Sequence, residues 1–173
     1  EAEKEFFALA QAYPDKPRTH LWTAHAMRAN RRTGRAQLAY TFTLELATDP
    51  NVRAEALNGL GMIAFDRDHQ VEALDFFEQA LSLRPNSPRV LRNKARVLRQ
   101  KDDLTPALSI LRQALSADLL APLTWRMYVD ALQEHLELPR PSRTPDSLRG
   151  ADSDTRLIWR LDRIQRSLGT KDI

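Results

Sequence analysis

Between residues 54 and 83 the apolar positions fall into two stripes. Leu57, Leu60, Gly61 and Ala64 form the first, and Ala73, Leu74, Phe77, Ala80 and Leu81 the second. Both recur every three or four residues, as one face of an α-helix does. The polar run Asp66-Arg67-Asp68-His69-Gln70 between them is short and reads as the turn of a helical hairpin. Asn86-Ser87-Pro88 restarts the chain, with Ser87 placed to cap the next helix and Pro88 at its first position. A shift of 34 residues superposes the unit on its neighbours. Leu57 falls on Leu91 and Trp125, Gly61 on Ala95, Ala64 on Leu98 and Leu132, and Asp68 on Asp102. In the second stripe Ala39, Ala73 and Ala107 coincide, then Tyr40, Leu74 and Leu108, then Thr43, Phe77 and Leu111, then Leu46, Ala80 and Ala114. Such a period with two helices inside it predicts an all-α right-handed superhelical stack of antiparallel hairpins. The expected helices lie at about 1–13, 18–32, 35–48, 52–67, 69–83, 88–101, 103–117, 121–137 and 153–169, with no strand.

The stretch from Ala54 to Asn86 resembles a tetratricopeptide repeat, carrying Leu57, Leu60, Gly61, Ala73, Phe77, Ala80 and Pro85 at that family's spacing. The resemblance implies that small residues let paired helices approach closely while Phe77 fills the gap between successive hairpins. It extends over about residues 1–138: a partial repeat at 1–14, repeats at about 19–53, 54–87 and 88–121, and a partial repeat at 122–138. The unit at 88–121 departs from the pattern with Lys94 at an apolar position and Leu119 in place of the closing proline. The unit from about Thr19 to Asp49 keeps Trp22, Ala26, Gly34, Ala39, Leu46 and Pro50 but is one residue short. Ala2, Phe6, Leu9 and Pro14 fit the second helix of a repeat whose first helix would lie upstream. Trp125, Tyr128, Val129 and Leu132 fit a first helix.

A proline-rich link is expected over 139–152. The helix at 153–169 puts Leu157, Leu161, Ile164 and Leu168 on one face, which suits a cap over the last hairpin. Its basic residues Arg156, Arg160 and Arg163 offer the alternative of docking on a membrane surface or a partner.

Composition narrows the chemistry. The 173 residues are 42% hydrophobic and 28% charged, with five glycines, ten prolines and no cysteine. Disulfides, thiolate metal sites and cysteine nucleophiles are therefore out, and no run of residues is long and apolar enough to cross a membrane. His20 and His25 are five apart, the wrong spacing for a shared metal on a helix, and His69 falls in a turn. No phosphate loop or dinucleotide fingerprint appears; Gly59-Leu60-Gly61 reads as helix packing. The acid pairs Asp66/Asp68 and Asp102/Asp103 fall in turns, and no nucleophile has a base beside it. The chain reads as non-enzymatic, without metal or cofactor.

Charge is where function shows. The net charge is +3, and arginine far outnumbers lysine, a bias common in GC-rich bacterial genomes. In a stack of hairpins the first helices line the concave side, and here they carry the net positive charge while the second helices are net negative. Arg89, Arg92, Arg96 and Arg99 share one helix face, where like charges repel and no acid between Glu78 and Asp102 relieves them. Arginine forks suit carboxylates. Some tetratricopeptide-repeat proteins hold a C-terminal carboxylate in a clamp of lysine, asparagine and arginine on successive first helices. Arg89 stands at one such place, but Ala24, Gly59 and Asn93 stand at others, so that clamp is disfavoured. The candidate groove residues are Arg28, Asn58, Arg89, Arg92, Asn93, Arg96, Arg99 and Arg126. The expected ligand is a protein or peptide, with an acidic segment favoured. A docking segment of a larger enzyme is the alternative. Nucleic acid fits poorly, because the outer helices are acidic and few exposed aromatics lie among the arginines. The resemblance tilts the setting toward a bacterial envelope or periplasmic assembly.

Overall fold

The computed structural model describes residues 2–137 and 153–169, and every regular element among them is helical. The helices are α1 (Ala2–Ala12), α2 (Pro17–Ala29), α3 (Thr33–Leu46), α4 (Pro50–Asp66), α5 (Gln70–Leu83), α6 (Pro88–Gln100), α7 (Leu104–Ala117), α8 (Pro122–His135) and α9 (Ser153–Gly169). The link over 139–152 and the side chain of Leu168 lie outside the described residues.

Proline opens each first helix. Pro17, Pro50, Pro88 and Pro122 sit at the starts of α2, α4, α6 and α8, where a missing N–H costs nothing and a fixed φ is already helical. Asp49 caps α4 by accepting the Asn51 N–H at 2.9 Å. Ser87 occupies the cap position of α6, but its side chain makes no capping bond and is buried instead. Each first helix ends alike. Arg31, Asp68 and Asp102 take the left-handed conformation, with φ 59°, 63° and 63°. The next residue's N–H then reaches back to a carbonyl of the last turn: Arg32 to Met27, His69 to Ala64 and Asp103 to Leu98, each at 2.9 Å. These are Schellman turns made without glycine.

Helix α2 pairs with α3, α4 with α5 and α6 with α7, while α1 packs on α2 and α8 on α7. First helices also touch one another, α2 to α4, α4 to α6 and α6 to α8. They form a continuous face. Tyr40, Phe77 and Leu111, one from each second helix, are fully buried between hairpins. Small residues opposite make room for the rings: a Cβ on Gly61 would stand 2.6 Å from the Phe77 ring, and one on Gly59 only 2.3 Å from that of Tyr40.

The burial pattern corrects the register of the first full hairpin. Ala73 and Ala107, Phe77 and Leu111, Ala80 and Ala114 are equivalent at a 34-residue shift, all buried. In α3, however, the completely buried positions are Ala36, Tyr40 and Thr43, not the sequence-aligned set Ala39, Thr43 and Leu46. Tyr40 thus takes the place of Phe77, 37 residues on, and Ala24 that of Gly61. The reason is the length of α4, 17 residues against 13 for α2 and α6, which adds nearly a turn before the next small position. Gly34 is not a packing residue; it is exposed, and a Cβ there would meet nothing.

Helix α9 lies on α8. Ile164 is buried while Leu157 and Leu161 are half-buried. Arg160 donates to Asp130 and Gln133 of α8, and Arg163 stacks 5.1 Å from the Trp159 ring, so this helix's basic residues are partly spent within the fold.

Candidate functional site

The first-helix face gathers the arginines of α6, but they do not stand alike. Arg89 is exposed and has no ion pair among the described residues. Arg92 is half-buried and donates to the Thr124 hydroxyl at 3.1 Å. Burial lowers its pKa, Asp118 opposes that, and Arg89 adds to it. Arg96 lies 4.6 Å from the centre of the Phe65 ring, with Nη2 3.0 Å from the Met62 sulfur, a cation–π arrangement. Its pKa is also lowered, first by burial, while Asp66 opposes and Arg28 repels.

Arg99 is committed. It donates to both oxygens of Glu134 at 2.6 and 2.7 Å, a bidentate fork. Hydrogen bonding to Glu134 raises its pKa against the effect of burial. Its partner is neither Asp102 nor Asp103, the acids nearest in sequence; the neighbouring first helix supplies one from 35 residues away. Phe65, Arg96, Arg99, Gln100 and Glu134 surround a shallow cavity of about 330 Å³.

The amides are partly spent as well. Asn93 donates to Asn58 Oδ1 at 2.7 Å, tying α6 to α4, and Asn58 is buried. Arg126 is exposed on α8. Arg28 is half-buried at the end of α2, and its Nε is buried with no hydrogen-bond partner. Contacts therefore tie Asn58, Arg92, Asn93, Arg96 and Arg99 together along α4, α6 and α8, while among the described residues Arg28, Arg89, Arg92 and Arg126 hold no carboxylate within ion-pair distance.

Sequence reasoning passed over three residues of this face. His25 Nδ1 lies 2.7 Å from the Tyr40 hydroxyl, and the rings meet edge to face at 5.4 Å. His25 Nε2 is 3.9 Å from a Glu55 oxygen. Burial, then Arg89 and Arg28, push the His25 pKa down to about 4, so the ring is neutral at physiological pH. Burial raises the Tyr40 pKa against the opposing pull of Arg28 and Arg89. Only the true register, which turns Tyr40 inward under α2, exposes this cluster. Among the described residues no three His, Cys, Asp or Glu side chains come together as a metal site, and no helix is long and apolar enough to cross a membrane.

A face of first helices backed by second helices, with a large side chain wedged between successive hairpins, defines the class: an α-hairpin solenoid, an architecture whose first helices present a continuous binding surface. The tetratricopeptide repeat family profile matches residues 54–87. Solved structures extend the likeness over most of the chain. YrrB, described as a tetratricopeptide-repeat protein with an unusual peptide-binding site, is 20% identical with a TM-score of 0.64, covering 78% of this chain and 68% of its own. MamA is 15% identical with a TM-score of 0.66, over 98% and 88%. PilF of Pseudomonas aeruginosa is 18% identical with a TM-score of 0.63, over 79% and 70%. No curated protein matches the chain significantly by sequence. Residues 54–87 thus match a tetratricopeptide repeat, and the chain shares the fold of the tetratricopeptide-repeat protein YrrB.

Proposed function

We propose that this protein is a non-enzymatic scaffold that holds an acidic segment of a partner protein along its first-helix face, as part of a bacterial, envelope-associated assembly. The observation that carries the reading is the set of arginines on that face left without carboxylates among the described residues: Arg28, Arg89, Arg92 and Arg126 come from three of the four first helices, α2, α6 and α8, while Arg99 alone of the α6 row is closed by a fork to Glu134. Arginine forks in partly desolvated surroundings prefer carboxylates, and a continuous helical face admits an extended or helical segment. YrrB's peptide-binding site supports this use of the fold. The arginine-rich composition and the likeness to a Pseudomonas aeruginosa protein support the bacterial setting.

The test is binding of a glutamate-rich peptide and its glutamine counterpart, followed by fluorescence anisotropy at low and physiological salt. The acidic peptide is expected to bind more tightly and to weaken with salt. Arg92→Glu/Arg126→Glu is expected to weaken it about tenfold or more, since exposed pairs contribute roughly 0.2–1 kcal/mol each and two are reversed. Equal binding of both peptides by both proteins overturns the proposal.

A further inference from the structure

Two adjacent leucines stand where the stack gives them little to pack on. Leu119 and Leu120, in the turn between α7 and α8, are 65% and 89% exposed, and Leu123 in the first turn of α8 is 46% exposed. The equivalent turns are built otherwise: Ala47-Thr48-Asp49 before α4 and Arg84-Pro85-Asn86-Ser87 before α6 carry no large apolar side chain. The backbone of the pair is pinned on both sides, which holds the two side chains outward. Asp118 accepts the Leu120 N–H at 3.2 Å, and the Trp125 indole N–H donates to the Leu119 carbonyl at 2.8 Å. Ala121 fills the buried position that follows. Water is a poor neighbour for such side chains, and an apolar patch held at the surface marks a place of attachment.

Cations collar this patch. Arg126 follows Leu123 by three residues on α8, so the two share a helix face. Arg92 reaches the same place from α6 by donating to the Thr124 hydroxyl, 3.1 Å away. Asp118 is the only acid between Asp103 and Asp130, and the turn already engages its carboxylate. The opposite edge of the stack, where α4 meets α5 and α6 meets α7, holds Asp66, Asp68, Asp102 and Asp103.

We propose that the α7–α8 turn is a membrane-docking tip, with Leu119, Leu120 and Leu123 entering an anionic lipid surface and Arg92 and Arg126 meeting its phosphates. The arrangement favours lipid over a pocket on another protein. Leu120 is bare nearly all round, and a helical rise of about 4–5 Å sets Arg126 behind Leu123. That is the order in depth of acyl chain and headgroup. The leucines have no part in the reading of the first-helix face as a peptide site, which stands or falls without them.

Sedimentation of the full chain with vesicles tests the tip, using phosphatidylcholine alone and an equal mixture of phosphatidylcholine and phosphatidylglycerol. Binding to the mixed vesicles is expected, with little to phosphatidylcholine, and it should decline as salt rises. Leu119→Ser/Leu120→Ser should weaken it about tenfold or more with the thermal midpoint unchanged, since both side chains already face water. The chain has no cysteine, so Leu120→Cys accepts a single environment-sensitive fluorophore. Its emission should shift to the blue with mixed vesicles. The same label on Val71→Cys, exposed at the start of α5 on the opposite edge, should not move. Absence of vesicle binding, equal sedimentation of wild type and serine variant, or a label on Leu120→Cys that stays in water overturns the tip. So does leucine-dependent dimerisation by light scattering that mixed vesicles do not compete with, because a second copy then covers the patch. Binding of the glutamate-rich peptide without vesicle binding overturns the tip and leaves the face reading intact.

Discussion

His25 shows what burial does to one side chain. Three-quarters of it is screened from water, with Arg28 and Arg89 acting on it, so its cationic form is disfavoured twice over, by desolvation and by like charge. In the unfolded chain the imidazole takes up a proton as pH falls through about 6.5, while in the folded chain it stays neutral down to about 4. Stability from this group is therefore fully present above pH 6.5 and lost as pH falls toward 4. The loss is about 2–3 kcal/mol, allowing for the part of the ring that water reaches. Urea unfolding at pH 7 and pH 4.5 should show a smaller acid destabilisation for His25→Gln than for the wild type. Identical pH dependence would place the ring in water. The groups facing His25 are Tyr40, Arg28, Arg89 and Glu55, all common to both proteins.

At the scale of the helix, packing is decided by pairs of positions rather than by average hydrophobicity. Gly61 on α4 and Phe77 on α5 fit one another so closely that a single added carbon would collide. Removing the ring leaves a cavity that rigid helices cannot close. Phe77→Ala is expected to cost about 3–5 kcal/mol, read as a lowered midpoint in thermal unfolding. An unchanged melting curve would mean that the ring is not the wedge between hairpins. Helix ends tell a parallel story. The turns at Arg31, Asp68 and Asp102 are Schellman closures built on residues that tolerate the left-handed region less well than glycine. Sequence marks them only as short polar runs. The charge on α6 likewise looks uniform along the helix, but the ion-pair partners that separate Arg99 from Arg89 belong to other helices: Glu134 for the first and, among the described residues, none for the second.

For the whole molecule, a solenoid needs closed ends. Helix α9 supplies cover for α8, burying Ile164 and answering Asp130 and Gln133 with Arg160. We propose that it acts as the cap. Deleting residues 139–173 is then expected to expose the apolar side of α8 and to promote self-association, seen as an increase in mass by light scattering at rising concentration. A truncated chain that stays monomeric and equally stable would show that α8 needs no cover.

The class of fold is legible in the chain alone, because a period of two apolar helical stripes can bury its surface only by stacking hairpins. The sequence also marks the start of α6 at Pro88, whereas Pro50, which opens α4, reads in sequence as part of the preceding repeat. Tertiary structure decided the register of α3, because α4 is longer than its counterparts and only packing shows which of Tyr40 and Thr43 takes the wedge position. It decided, too, which arginines remain open on the first-helix face. A charge is neutralised by whatever lies within a few ångströms of it, and along this face those neighbours are some 30 to 35 residues away in the chain.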